Sequence, residues 1–263
     1  MAQWTPLNPE THADAGWHRY HGYQFAAHDH LAPVVMTEIT QILPWYPLAL
    51  ALVAPERYQL VALLSLTPGR NLYVSSEGKW LAPYIPSHFR GYPFTLDKDV
   101  ALCIDADSGL YSNPREDGAI PIYQHGELTE QAAKVKEFHQ QRQQALALTQ
   151  GLTRKLQAAE LITPWTIQWK PADTVQRIKG YCTINEDRLR SLPPDLYAQL
   201  AHTGALGLAY LLLFSQPRIA DLQFRHQRMP APESPSDTMH HLHELDSVDS
   251  LFGEGRDDLF KFD

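Results

Sequence analysis

The hydrophobic pattern of the chain changes after Gly126, and this change limits the folds that the chain can adopt. From residue 128 onward, seven apolar residues recur near helical spacing among Glu, Lys, Gln and Arg: Leu128, Ala132, Val135, Phe138, Leu146, Leu152 and Leu156. Thr129 stands where the N-cap of such a helix belongs. The spacing predicts one long helix over residues 130–159.

Before this helix, the apolar runs are short and are bounded by turn residues, which is typical of strands. Residues 48–53 and 58–66 are predicted to form two buried strands joined by a turn at Pro55. Further strands are predicted in three places: residues 36–42, 71–75 and 100–105.

After the helix, Trp165, Ile167 and Trp169 alternate with polar neighbours, and residues 177–183 do so more loosely. The alternation predicts a hairpin that turns around residues 171–174. Three helical stretches follow: residues 186–191, 194–202 and 205–228, the last interrupted at Pro217. The predicted fold class is α+β, a curved and mostly antiparallel sheet with the long helix and a C-terminal helical cluster packed on it.

Three regions are predicted along the chain. Residues 1–33 lack periodicity and are interpreted as an N-terminal arm, residues 34–229 as a single α+β domain, and residues 230–263 as an acidic tail. The tail has nine acidic and two basic residues, whereas the rest of the chain has 21 acidic and 20 basic ones. Its Pro, Ser, Asp and His content predicts disorder. Its repeated Leu-Phe pairs among acids resemble a docking motif for a protein partner, and a flexible solubilising tail is the alternative.

The nearly neutral body has no Lys/Arg-rich stripe, which argues against nucleic acid as a partner. Residues 1–16 contain neither a basic n-region nor an apolar h-region, so a cytoplasmic location is expected, with signal-peptide-independent export to the cell surface as the alternative. The longest apolar run, residues 205–214, is half the length of a membrane span. The two cysteines, Cys103 and Cys182, give no disulfide framework.

Residues 80–94, here called the aromatic platform, carry an unusual density of rings and prolines. The fifteen residues include one Trp, two Tyr, two Phe, three Pro and one Arg. The pattern favours a pocket for a small apolar or aromatic ligand or a peptide, with Arg90 facing inward to bind a carboxylate or phosphate. The predicted lining is Trp80, Tyr84, Tyr92 and Phe94.

Two structural alternatives remain open for the aromatic platform. The rings also suit an irregular strand that plugs one end of a core, since aromatic side chains are usually buried. Arg90 has acidic partners available nearby in the sequence at Asp97 and Asp99.

Standard catalytic signatures are absent from the sequence: it has no GxSxG, GxGxxG, Walker loop, HExxH or CxxC. No catalytic residue, cofactor or metal ligand is therefore predicted, and a protein without enzymatic activity is favoured. The alternative is a metal-dependent enzyme that uses the N-terminal histidines. His12 and Asp14 have the HxD spacing of two-His-one-carboxylate iron sites, and His28 and His30 flank Asp29.

Several motifs between residues 44 and 228 resemble those of the bacterial SapC family in their order along the chain. They are YPLALA (46–51), YQLVALLSLTPGRNLYV (58–74), CIDADS (103–108), GYCTINEDRLRSL (180–192) and HTGALGLAYLLLFSQPRIADL (202–222), together with YIP and YPF in the aromatic platform. The resemblance implies a component linked to a bacterial surface layer, and it supplies no catalytic residues. Two functions are thus favoured, a binding or accessory module and a surface-layer-associated component.

Overall fold

The structure, a computed structural model, describes residues 3–169 and 175–229. In this part of the chain the strands are β1 (Trp4–Pro6), β2 (Gly16–Trp17), β3 (Leu31–Pro33), β4 (Leu48–Ala54), β5 (Arg57–Leu63), β6 (Phe94–Leu96), β7 (Leu102–Asp105), β8 (Tyr111–Ser112), β9 (Ile120–Pro121), β10 (Tyr123–Gln124), β11 (Glu127–Leu128), β12 (Ile162–Trp169) and β13 (Gln176–Ile184). The α-helices are α1 (Ile39–Ile42), α2 (Ser87–Arg90), α3 (Glu130–Ala158), α4 (Glu186–Arg190), α5 (Pro194–Thr203), α6 (Ala205–Ser215) and α7 (Arg218–Arg228). The predicted α+β class is confirmed.

The described residues divide into two units. Unit 1 contains residues 3–23 and 87–144, and unit 2 contains residues 24–86, 145–169 and 175–229. Helix α3 contributes its first half to unit 1 and its second half to unit 2. The single domain over residues 34–229 stays a prediction, and the predicted tail at 230–263 lies outside the described residues.

Unit 2 is built on a five-stranded antiparallel sheet with the strand order β12-β13-β4-β5-β3. Leu48, Leu50 and Leu60 of this sheet are fully buried. The predicted hairpin of β12 and β13 extends the sheet of β4 and β5, as expected from the alternation. Its turn lies among residues 170–174, outside the described residues.

The helices of unit 2 pack on this sheet. Ser215, at the end of α6, accepts the backbone N–H of Leu48 on β4 at 2.9 Å. Thr153 of α3 donates its hydroxyl to the carbonyl of Tyr58 on β5 at 3.3 Å. Asn185 caps α4 by accepting the N–H of Arg188, which agrees with the cap-like residue in the sequence.

Unit 1 contains two three-stranded antiparallel sheets, β1-β7-β6 and β8-β2-β9, and the small hairpin β10-β11. Trp17, Phe94, Ile104 and Ile122 belong to its buried core. Residues of the predicted N-terminal arm take part in both sheets, since Trp4–Pro6 pairs with β7 and Gly16–Trp17 lies between β8 and β9. The first turn of α3 is capped by Thr129, whose hydroxyl accepts the N–H of Ala132.

Two predicted strands are wrong. Residues 36–42 form a 3₁₀ turn, Met36–Glu38, followed by α1, because Glu38 accepts the backbone N–H of Val35 and caps the turn. Residues 71–75 form turns with one isolated bridge from Val74 to Trp80. There the Asn71 side chain accepts the N–H of Tyr73, a local bond that competes with strand pairing.

Among the described residues, no single helix has both the length and the apolar character needed to cross a membrane. Helices α5 and α6 meet the criterion only as a pair, and they are bent by 86° at the break between them.

Candidate ligand-binding cleft

Unit 1 contains a cleft of about 530 Å³ between three segments of the chain. The first segment is β2 and the three residues after it, and the second runs from the end of α2 into β6. The third is one face of α3, where the cleft is lined at the helical spacing i, i+3, i+4 and i+7 by Gln131, Lys134, Val135 and Phe138.

The apolar wall of the cleft rests on a buried aromatic pair. The rings of Trp17 and Phe94 meet edge to face with their centroids 5.2 Å apart, and both side chains are almost fully buried. Because both belong to strands in the core of unit 1, the wall is held in place by the fold itself. Val135 and Phe138 continue the apolar surface along α3.

Cationic side chains line the same cleft, namely Arg19, Arg90 and Lys134, whereas its lining, in the part of the chain that is described, includes no Asp or Glu. The Arg90 guanidinium lies 5.7 Å from the centre of the Phe138 ring, within the range of a cation–π contact. Lys134 forms an ion pair with Glu130, one helical turn away, at 2.6 Å. The cleft thus combines apolar rings with positive charge.

Gly91 allows the chain to pass close to α3 at this point. A Cβ atom on residue 91 would overlap the ring of His139, and that ring hydrogen bonds to the Gly91 carbonyl at 3.2 Å. Arg142 donates to the hydroxyl of Ser87 at 3.1 Å and joins α3 to α2 within unit 1. These contacts hold the segment that carries Arg90 and Tyr92 against the helix.

Two tyrosines at the cleft are held by hydrogen bonds to their hydroxyl groups. Tyr20 donates to the carbonyl of Arg90 at 3.4 Å, and Tyr92 donates to the buried carboxylate of Asp105 at 3.3 Å. Burial raises the pKa of Tyr20 to about 12. Burial, with the charge of Asp105 as a further cause, also raises the pKa of Tyr92 to about 12. Both hydroxyl groups are therefore protonated at neutral pH.

The first half of the aromatic platform has a different environment. Trp80 and Tyr84 belong to unit 2, where Trp80 donates its indole N–H to the hydroxyl of Tyr46 at 2.8 Å. Tyr46 in turn donates to the carbonyl of Tyr84, and Tyr84 donates to the buried carboxylate of Glu38 at 2.9 Å. These bonds form a chain of polar groups inside unit 2.

Tyr73 and Arg225 extend this network. Tyr73 is fully buried, stacks on Trp80 and donates its hydroxyl to the carbonyl of Trp45 at 2.9 Å. The guanidinium of Arg225 lies 4.4 Å from the centre of the Tyr73 ring. Burial raises the pKa values of both Tyr46 and Tyr73 beyond those of the tyrosines at the cleft.

Of the five residues predicted to bind a ligand, the structure brings together Arg90, Tyr92 and Phe94 in the cleft of unit 1 and places Trp80 and Tyr84 in unit 2. Ligand binding by these residues stays a prediction. Sequence reasoning missed the rest of the lining, including Trp17, Arg19 and Tyr20. For α3 a signal was present, since Val135 and Phe138 are among its periodic apolar residues.

Among the described residues, the N-terminal histidines of the metal-enzyme alternative do not lie in a ligand cluster. The Nδ1 atom of His12 lies 2.9 Å from the hydroxyl of Thr11, and that of His28 lies 3.1 Å from the carbonyl of Gly69. Across residues 3–169 and 175–229, no three His, Cys, Asp or Glu side chains are grouped closely enough to hold a metal ion.

A comparison of the sequence with models of protein families agrees with the resemblance of its motifs to the SapC family. The family model named SapC matches residues 7–222. The chain belongs to the SapC family. No curated protein and no solved structure shows a significant match to it. The SapC match spans the described strands from β2 to β13 and the helices from α1 to the first five residues of α7, so it includes every segment that lines the cleft.

Proposed function

We propose that this SapC-family chain is a binding module without enzymatic activity, and that its ligand site is the cleft of unit 1. The observation that carries the proposal is the cleft lining, which joins an apolar aromatic wall to Arg19, Arg90 and Lys134. The ligand class that fits this lining has an apolar or aromatic body and an anionic group such as a carboxylate, phosphate or sulfonate.

The apolar wall and the cationic side chains of the cleft contribute to binding in different ways. Burial of a ring against the partly exposed Val135 and Phe138 contributes free energy in proportion to the apolar area removed from water. A guanidinium beside an aromatic face presents a planar fork of donors to an anion, and Arg90 has this arrangement with Phe138. The cleft volume of about 530 Å³ lies within the range of small-molecule sites.

The tyrosines support binding rather than proton transfer. General acids and bases work best with pKa values near the operating pH. The pKa values of Tyr20 and Tyr92 are raised to about 12, so both hydroxyl groups act at neutral pH as fixed hydrogen-bond donors.

The test is a titration with 8-anilinonaphthalene-1-sulfonate, an aromatic anion whose fluorescence rises on binding. We expect saturable binding to the native chain and an affinity loss of about tenfold in Arg90→Ala, which corresponds to roughly 1.4 kcal/mol. Arg154→Ala is the matched control, since Arg154 is an exposed arginine of α3 outside the cleft. Amide NMR shifts at Gly91 and Val135 would localise the probe. Equal affinity of the two variants would contradict the proposal.

Family membership supports a second proposal, that the chain works as a surface-layer-associated component. This role requires the protein to leave the cytoplasm, whereas a cytoplasmic binding module stays inside the cell. Protease treatment of intact cells that produce the protein naturally, followed by fractionation, separates the two. Loss of the protein from intact cells supports the surface role, and full protection in the cytosolic fraction contradicts it.

A further inference from the structure

We infer that residues 257–263 of this chain bind in the cleft of unit 1 and compete there with an external ligand. The inference rests on the proposed function of the cleft and names a peptide ligand for it. The segment reads DDLFKFD and lies outside the described residues, so its sequence alone supplies the chemistry. In this arrangement the chain carries its own competitor.

Charge complementarity is the first reason. The segment contains three aspartates and one lysine, a net charge of −2, within seven residues. The cleft presents Arg19, Arg90 and Lys134, and none of its described lining residues is acidic. Opposite charges at this density attract at short range and are screened by salt, with a Debye length of about 8 Å at physiological ionic strength.

The apolar groups are the second reason. Leu259, Phe260 and Phe262 supply the apolar side chains of the segment. The partly buried Phe138 ring offers aromatic surface for them beside the buried pair of Trp17 and Phe94, and pairs of aromatic rings contribute about 0.5 to 1.5 kcal/mol beyond their buried area. The segment therefore belongs to the ligand class that fits the cleft, because it carries aromatic rings beside anionic groups.

The third reason is the length of the linker between the described residues and the segment. Met229 is the last described residue, and residues 230–256 separate it from the segment. A chain of 27 residues, the number in 230–256, spans up to roughly 90 Å when extended. A tethered peptide has an effective concentration on the order of 1 mM. With an intrinsic Kd on the order of 0.1 mM, this tether would weaken binding of an external peptide about tenfold.

The experiment uses the full chain and a fluorescein-labelled peptide of sequence DDLFKFD, with binding followed by fluorescence anisotropy. The tail variant carries Phe260→Ser and Phe262→Ser. The matched control carries Phe252→Ser, which alters the other Leu-Phe pair of the tail. We expect the tail variant to bind the peptide about tenfold more tightly than the native chain and the control do, and Arg90→Ala in the tail variant to weaken binding again. Affinity should fall as salt is added.

Equal peptide affinity in the native chain, the tail variant and the control would overturn the inference, as would absence of binding in all three. Tighter binding in the Phe252→Ser chain alone would also overturn it, because the competing segment would then be the wrong one.

The aromatic sulfonate separates this failure from failure of the proposed function. If the sulfonate binds with dependence on Arg90 and the peptide does not bind, the cleft is a ligand site and the tail is not its competitor. If neither probe depends on Arg90, the proposed function fails together with the inference.

Discussion

The two halves of the aromatic platform have similar compositions and different surroundings. In unit 2, the donors of Trp80 and Tyr84 are used within the fold, by the Tyr46 hydroxyl and the Glu38 carboxylate. In unit 1, Tyr92 and Phe94 line a cleft together with Arg90. A ring-rich stretch therefore does not determine its own role. The role depends on what distant segments place beside the rings, which is a set of hydrogen-bond acceptors in unit 2 and a cleft lined by cationic side chains in unit 1.

The largest expected effect that would test this comparison is on stability. Trp80→Ala removes a half-buried indole that stacks on Tyr73 and bonds to Tyr46, and should lower the free energy of unfolding by roughly 2 to 4 kcal/mol. Chemical denaturation measures this change. Leu81→Ala is the neighbouring control, since Leu81 is 41% exposed, and should cost less than about 1 kcal/mol. If Trp80→Ala instead abolished binding of the aromatic sulfonate without loss of stability, the comparison would be broken.

A smaller difference is expected between two Tyr→Phe variants. Tyr84→Phe removes a bond of 2.9 Å to a buried carboxylate, and bonds to charged groups contribute about 1.5 to 3 kcal/mol. Tyr92→Phe also removes a bond to a buried carboxylate, that of Asp105, but this bond is longer at 3.3 Å and therefore weaker, with an expected cost of about 1 kcal/mol. Unfolding in urea measures both. Equal losses would show that the two hydroxyl groups are equally important to the fold.

The smallest effect concerns alkaline pH. The pKa of Tyr92 is raised to about 12 by burial and by Asp105, while an unfolded tyrosine ionises near its ordinary value of 10.0. The protonated form is therefore favoured in the folded state, and this contribution is complete below pH 10 and is lost as the pH rises through 12. Tyr92→Phe should make the loss of stability between pH 10 and 12 shallower, as measured by unfolding at each pH. The same slope in both proteins would show that Tyr92 makes no such contribution.

Most elements could be predicted because their signals are local. The long helix follows from seven apolar residues at helical spacing, and the hairpin of β12 and β13 follows from strict alternation at Trp165, Ile167 and Trp169. The failures at residues 36–42 and 71–75 are also local in origin. In each, a side-chain oxygen, of Glu38 or of Asn71, accepts a nearby backbone N–H and favours a turn over a strand.

The site was less predictable because its parts come together from far apart in the sequence. Arg90, Tyr92 and Phe94 could be selected as a group, since one short segment contains them. Their partners Trp17 and Phe138 lie more than forty residues away, and no pattern in a single sequence shows which distant segments meet. The same limit applies to Trp80 and Tyr84, whose acceptors belong to Tyr46 and Glu38.

The path of the chain through helix α3 has a consequence for biosynthesis. Unit 1 occupies residues 3–23 and 87–144, so it interrupts unit 2 and ends inside a continuous helix. As the ribosome releases the chain from its N-terminus, the described part of unit 1 is complete at residue 144. At that stage unit 2 still lacks β12 and β13, which supply two of the five strands of its sheet. Neither unit is a contiguous stretch of the chain. The first segment of unit 2 begins to emerge before residue 87, but its sheet is complete only after β12 and β13 have been synthesised.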